Sequence, residues 1–182
     1  MKCVQAALCI LLFLGIQSAI AQQSLTIIQG GWAAVVDQYP VSSSGYRFAA
    51  GWELLPTEQK WTLGAVVGKS EITGTRVAFG TARPFRLTSI PFCVVSRVMF
   101  GGERFNIFVR AGMGAHASTV TYQNPTISET RWGMSAITSA GVLYWFSQKI
   151  FIGGDYEWLW LSNTHPNLGT IGIVSLSSGL RL

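Results

Sequence analysis

After its first 21 residues the chain contains no apolar run near the roughly 18 residues that a membrane-spanning helix needs, although 49% of its 182 residues are hydrophobic. It is also poor in cysteine. Of the three cysteines, Cys3 and Cys9 lie at the extreme N-terminus, which leaves Cys93 without a partner for an internal disulfide. No Cys/His cluster is present, so zinc and redox sites lack ligands, and neither a metal nor a cofactor is expected. Charged residues are only 12% of the chain, and its 13 lysines and arginines are scattered rather than clustered. That distribution argues against nucleic acid as a partner. Sequence repeats, linkers and low-complexity tracts are absent too, which points to one folded domain.

What is present begins with a leader. Lys2 precedes an apolar run from Ala6 to Ile16 and then Ala19-Ile20-Ala21, the arrangement of a signal peptide with an A-x-A cleavage site. Residues 1–21 are expected to be removed, so that residues 22–182 form the mature domain. Leu8 before Cys9 is too large for a lipoprotein processing site. Removing Lys2, the one charged residue before Gln22, lowers the formal net charge from +5 to +4. An exported chain this apolar, with no spanning helix, has another way to meet lipid. A closed β-barrel pairs every backbone N–H and C=O between strands and needs only alternate residues to be apolar.

Segments rich in aromatic and β-branched residues recur at about 25–36, 46–55, 60–69, 88–100, 103–116, 132–146, 150–161 and 170–182. They are separated by alternating short and long polar connections. This pattern predicts an all-β fold, an eight-stranded antiparallel up-and-down transmembrane β-barrel. Short turns would be periplasmic and long loops extracellular. Within 70–87, Val77-Ala78-Phe79 leaves open an extra strand.

The hairpins give a stricter test, because paired residues share a face. A two-residue turn at Gly101-Gly102 would set Val98 against Phe105 and Val94 against Val109 outside, with Arg97 against Asn106 and Cys93 against Arg110 inside. A three-residue turn at Ser147-Gln148-Lys149 would pair Tyr144 with Ile152 outside, and Gly141 with Asp155 and Ser139 with Glu157 inside. In 46–55, Tyr46, Phe48, Ala50, Trp52 and Leu54 point out, and Arg47, Gly51 and Glu53 point in. A soluble β-sandwich would usually reverse this. Alternation alone fits either; the leader, the aromatic load and the rhythm of connections favour the barrel.

Outward aromatics cluster near strand ends, as an interfacial girdle does. Trp61, Phe100, Phe105 and Phe146 lie by the short turns, and Tyr46, Trp132, Trp158 and Trp160 lie toward the long loops. The expected lumen charges are Arg47, Glu53, Arg97, Arg110, Asp155, Glu157 and Arg181. An eight-stranded barrel is just wide enough for side chains to fill. These charges should therefore pair with one another as a structural network, with a gated narrow conduit as the alternative.

In this spacing the chain resembles the small OmpA/OmpX-type outer-membrane barrels over nearly all of residues 25–182. The resemblance is clearest in IPFCVVSRVMF, the turn after it and FNIFVRAGMGA, from Ile90 to Ala115. It implies architecture more than function. The chain departs from that group by ending in Leu182 and not in an aromatic residue.

A narrower resemblance lies in LSNTHPNLG, Leu161 to Gly169. It is similar to the end of the penultimate strand in PagL-type lipid A deacylases, where His-x-Ser-Asn precedes an Asn-x-Gly element. Ser162, Asn163, Asn167 and Gly169 match. The positions of the family's histidine and acid fall on Trp160 and on Thr170 or Ile171, so both groups are missing. A serine is a weak nucleophile without a base; Ser162, Asn163 and the loop residue His165 are the catalytic candidates this resemblance leaves. His116, Ser118 and Glu129 form another constellation, expected to be a polar strand end on the lumen side with a loop carboxylate.

The sequence thus points to an outer-membrane barrel with a structural or loop-mediated role. The alternatives are a deacylase-like barrel acting on outer-leaflet lipid, either active through Ser162 or inactive for want of its base, and a narrow solute pore. Expected partners are outer-membrane lipids, lipopolysaccharide and the barrel-assembly machinery.

Overall fold

The computed structural model describes residues 23–36, 41–55, 60–78, 81–123, 127–164 and 168–182; the expected leader lies outside these. Eight strands follow in order: β1 Gln23–Val35, β2 Val41–Leu55, β3 Trp61–Ala78, β4 Thr81–Gly101, β5 Phe105–Tyr122, β6 Ile127–Trp145, β7 Ile150–Leu161 and β8 Thr170–Arg181. Each pairs antiparallel with its neighbour in sequence, and β1 pairs with β8, so the sheet closes as an up-and-down barrel. Closure leaves no sheet edge around the barrel body.

Side chains alternate between the two faces of the wall. Along the middle of the strands the outward residues are apolar, among them Ile28, Phe48, Val67, Phe92, Val94 and Ile107, all well exposed. Residues between them point inward and are buried, including Arg47, Arg97, Arg110 and Glu157. An apolar belt around a polar interior is the arrangement that lets a strand cross hydrocarbon.

The hairpin of β6 and β7 has the expected register, with Tyr144 opposite Ile152, Gly141 opposite Asp155 and Ser139 opposite Glu157. The β4–β5 hairpin does not. Val98 faces Val109, Arg97 faces Arg110, Val94 faces Met113 and Cys93 faces Gly114, a slip of four residues from the two-residue turn. Glu103 and Arg104 belong to the turn, not to β5, which starts at Phe105. Gly101 takes a φ of +136°, a conformation that glycine alone adopts freely, and Gly102 N–H bonds to Phe105 O at 3.0 Å. Because the slip is even, every side chain keeps its expected face.

The larger correction concerns the loops. β3, β4, β5 and β6 continue well past the apolar belt, so most of 70–87 and 117–131 is strand. Val77 and Ala78 end β3 rather than forming a ninth strand; Phe79 lies outside the described residues. In this extension the alternation inverts. Ile72, Phe85, Leu87 and Val120 are buried inside, while Thr73, Thr75, Thr88 and Thr121 hold the outward register. Hydroxyl pairs tie the outer surface across the strands, Thr119 to Thr130 at 2.8 Å and Thr121 to Ser128 at 3.2 Å. Apart from the exposed Val77, the extension is built like a water-facing sheet, apolar within and polar without.

Candidate functional site

The lumen is filled in three levels. At the turn end Leu25, Ile27, Met99, Phe108, Trp145 and Phe151 belong to one buried apolar cluster. At the loop end Ile72, Phe85, Leu87, Leu159, Leu168 and Ile171 belong to another. Between them lie three arginines, Arg47, Arg97 and Arg110, and three carboxylates, Glu53, Asp155 and Glu157, all buried. The set is electrically neutral, as buried charge requires.

Its geometry is specific. Arg97 and Arg110 face each other directly across β4 and β5, and such a like-charge pair is unfavourable unless carboxylates divide it. Glu53 takes Arg97, accepting from Nη2 at 2.8 Å and from Thr62 Oγ1 at 2.6 Å. Glu157 takes Arg110, accepting from Nη2 at 2.7 Å. The other oxygen of Glu157 lies 2.9 Å from Arg47 Nε, an ion contact in which neither atom makes a hydrogen bond. Arg110 also lies 3.5 Å from Asp155 and donates from Nε to Ser139 at 3.1 Å. The Arg97 guanidinium stacks 4.5 Å over the Phe108 ring centre, joining the charges to the lower apolar cluster. Long side chains fit because glycines face them. A Cβ on Gly68 would come within 3.0 Å of Arg47 Nη1.

Six of the seven charges expected in the lumen thus meet. Arg181 also points inward, but it sits at the turn-end mouth with its guanidinium 4.1 Å over Trp145. There it borders a vestibule of about 1150 Å³ that Lys60, Arg104 and Lys149 also line.

Tyr46, Trp61, Trp132 and Trp160 are exposed on the outer wall. Trp158 is half-buried, stacked on Trp160 with ring centres 6.5 Å apart and edge-on to Tyr156 at 5.2 Å.

The deacylase-like stretch has a different occupation from the one its motif implies. Ser162 follows β7 directly, and its hydroxyl accepts the Met134 N–H at 2.7 Å. Asn163, at φ 53°, donates to Trp132 O at 2.9 Å. Both residues cap the free side of β6. His165 lies outside the described residues. The histidine that does reach Ser162 is His116, on β5, and it meets the carbonyl oxygen: Nε2 to Ser162 O is 2.8 Å. A carbonyl only accepts, so Nε2 carries a proton, and Nδ1 shares a 2.8 Å hydrogen bond with Ser118 Oγ. Glu129 is taken by Arg131, whose Nε donates to it at 2.8 Å. His116, Ser118 and Glu129 therefore do not assemble as a triad, and β5 runs on past Ser118 to Tyr122.

No family model matches the chain, and no curated protein matches it. Its fold matches solved structures. Neisserial surface protein A aligns with a TM-score of 0.58 at 11% identity, over 87% of this chain and 96% of that one. Ail, the attachment invasion locus protein of Yersinia pestis, aligns at 0.54 and 15%, over 88% and 97%. OprG of Pseudomonas aeruginosa aligns at 0.55 and 10%, over 90% and 97%. The chain has the fold of the small eight-stranded outer-membrane β-barrels.

Within this barrel, sequence reasoning missed the neutral members of the charge cluster. Gln29 is buried on β1 and donates through Nε2 to Asp155 at 2.8 Å and to Ser175 at 2.6 Å, while its oxygen accepts from Arg110 at 3.4 Å. Ser175 itself donates to Asp155. The available signal was parity, since Gln29 shares the inward register with Leu25 and Ile27. Cys93, the one cysteine among the described residues, is buried inside the wall with its sulfur 3.3 Å from Ser135 Oγ.

Proposed function

We propose that this chain is an outer-membrane barrel without enzymatic activity, whose lumen serves stability and whose loop-end sheet is an interaction surface facing outward from the cell. One observation carries the reading: a neutral ion cluster sealed between two apolar clusters fills the lumen, while β3 to β6 project beyond the belt with a polar exterior. A packed lumen suits a scaffold, not a conduit. The turn end faces the periplasm and the loop end faces outward. Partners are outer-membrane lipids, lipopolysaccharide and the barrel-assembly machinery. The name of Ail, the attachment invasion locus protein, is consistent with a surface role for a barrel of this shape.

The deacylase alternative is disfavoured because the outward neighbour of Ser162 is Trp160, which cannot take a proton, and because the serine hydroxyl already accepts a backbone N–H. The reading is tested in the source organism by replacing the gene with one lacking residues 74–84, the tip of the β3–β4 hairpin. A surface role predicts a barrel that still assembles and shifts on unheated gels, with lipid A acylation unchanged and loss of whatever envelope or adhesion phenotype gene deletion produces. Ion conductance in planar bilayers, or acyl loss that depends on Ser162, would overturn it.

A further inference from the structure

The outer wall of the barrel is almost without charge. Alternation puts Arg47, Glu53, Arg76, Arg83, Arg97, Arg110 and every charged residue of β6, β7 and β8 on the inner register. Among the described strand residues, three charges face outward, Lys69, Glu71 and Arg86, and all three are in contact. They lie on neighbouring strands β3 and β4, at the upper border of the apolar belt. Below the cluster the belt ends at the exposed Val67 and Ile90; above it Thr73 and Thr88 begin a mainly polar surface, in which Val77 is an exposed apolar residue.

Within the cluster Glu71 is the organiser. It is 16% exposed, accepts from Tyr46 Oη at 3.0 Å, pairs with Arg86 and lies 3.5 Å from Lys69 Nζ. Lys69 and Arg86 remain 54% and 60% exposed. Together they carry about eight N–H donors, more than one carboxylate with about four acceptor sites can use. Two cations are thus held side by side, with donors to spare, facing outward where hydrocarbon gives way to headgroups.

We propose that Lys69 and Arg86 form a binding site for a phosphate group of an outer-leaflet lipid, which competes with Glu71 for their N–H donors. Charge complementarity selects the occupant. The cluster carries one net positive charge, the neighbouring wall is neutral and apolar, and a phosphate attached to acyl chains satisfies both surfaces at once. Arginine supplies a planar fork for phosphate oxygens and lysine a point charge. The inference rests on the outer-membrane placement proposed above and is independent of any protein partner.

The test is native mass spectrometry of the full mature chain in detergent, titrated with bisphosphorylated lipid A, with the same lipid after dephosphorylation, and with inorganic phosphate. The expected result is preferential retention of the phosphorylated lipid. Retention should be at least about tenfold weaker in Lys69→Gln/Arg86→Gln, the scale of losing two charge-assisted hydrogen bonds that water partly replaces. Arg83→Gln, which removes one positive charge on the inner register, should retain it unchanged. Glu71→Gln provides the opposite sign, since removing the competing carboxylate should tighten retention, an outcome that misfolding does not produce. Equal retention of dephosphorylated lipid, no loss in the double variant, or weaker retention in Glu71→Gln overturns the site while leaving the barrel reading intact. Binding of inorganic phosphate as strong as that of the lipid overturns the lipid assignment. A chain that does not partition into detergent overturns the membrane placement itself.

Discussion

Two stretches of the same strands obey opposite rules. From Phe92 to Phe100 on β4 the outward positions are mostly apolar and the inward ones include Arg97; from Arg83 to Ser89 the outward positions are Pro84, Arg86 and Thr88, and Phe85 and Leu87 are buried inside. The ladder to β5 is continuous through both, and the ladder to β3 skips Gly68–Lys69 opposite Ile90–Pro91 and resumes in the same register. What changes is the medium outside the wall. In the belt the chain hides charge from lipid, so charge must neutralise itself in the lumen; in the extension it hides apolar side chains from water. The difference shows that a strand's period is set by its backbone, whereas its phase is set by its surroundings.

The comparison can be broken most severely from the lumen. Glu157 holds both Arg47 and Arg110. Glu157→Gln would leave buried guanidinium charge uncompensated, and a loss of about 3–5 kcal/mol is expected, read as a lower denaturant midpoint for barrel unfolding. In the extension the sensitive inward position is apolar. Leu87→Ala should cost about 2–5 kcal/mol, whereas a water-filled loop in its place would lose almost nothing. A charge on the belt comes next. Val94→Arg should cost about 2–4 kcal/mol if it lies near the midplane. The smallest effect is expected above the boundary, where Ser128→Arg on the outward face should change stability by no more than about 0.5 kcal/mol. Comparable effects for Val94→Arg and Ser128→Arg would erase the distinction between the two regions.

How much of this was legible depended on which rule a segment obeys. The belt's alternation identified eight strands, their faces and the lumen position of Arg47, Glu53, Arg97, Arg110, Asp155 and Glu157. The β6–β7 register was readable because Ser147-Gln148-Lys149 is a polar triplet between Phe146 and Ile150. Gly101-Gly102 misled because two adjacent glycines imitate a two-residue turn, while Glu103 and Arg104 extend it. Parity absorbed that error. The extension was read as loop because its outward Ser and Thr residues lack the belt's apolar phase. Lys69, Glu71 and Arg86 straddle that boundary, so their shared outward face emerges only when β3 and β4 are followed past it. Hydrogen-bond partners such as Gln29 with Asp155, or His116 with the Ser162 carbonyl, join strands far apart in sequence and leave no local pattern.

A sealed lumen also makes a chemical forecast. Cys93 is buried against Ser135, so a maleimide should leave the folded mature protein unlabelled and react fully after denaturation; labelling in the folded state would reveal water in the lumen.

The inversion of phase is tested most directly by spin-label accessibility along the outward register of β5, in a Cys93→Ala background with single cysteines at positions 107, 109, 111, 113, 115, 117, 119 and 121. Molecular oxygen should relax labels at 107 through 115 more than a water-soluble nickel complex does, and the preference should reverse between Ala117 and Thr119. A uniform preference along all eight positions, or a reversal within the belt, would contradict the account.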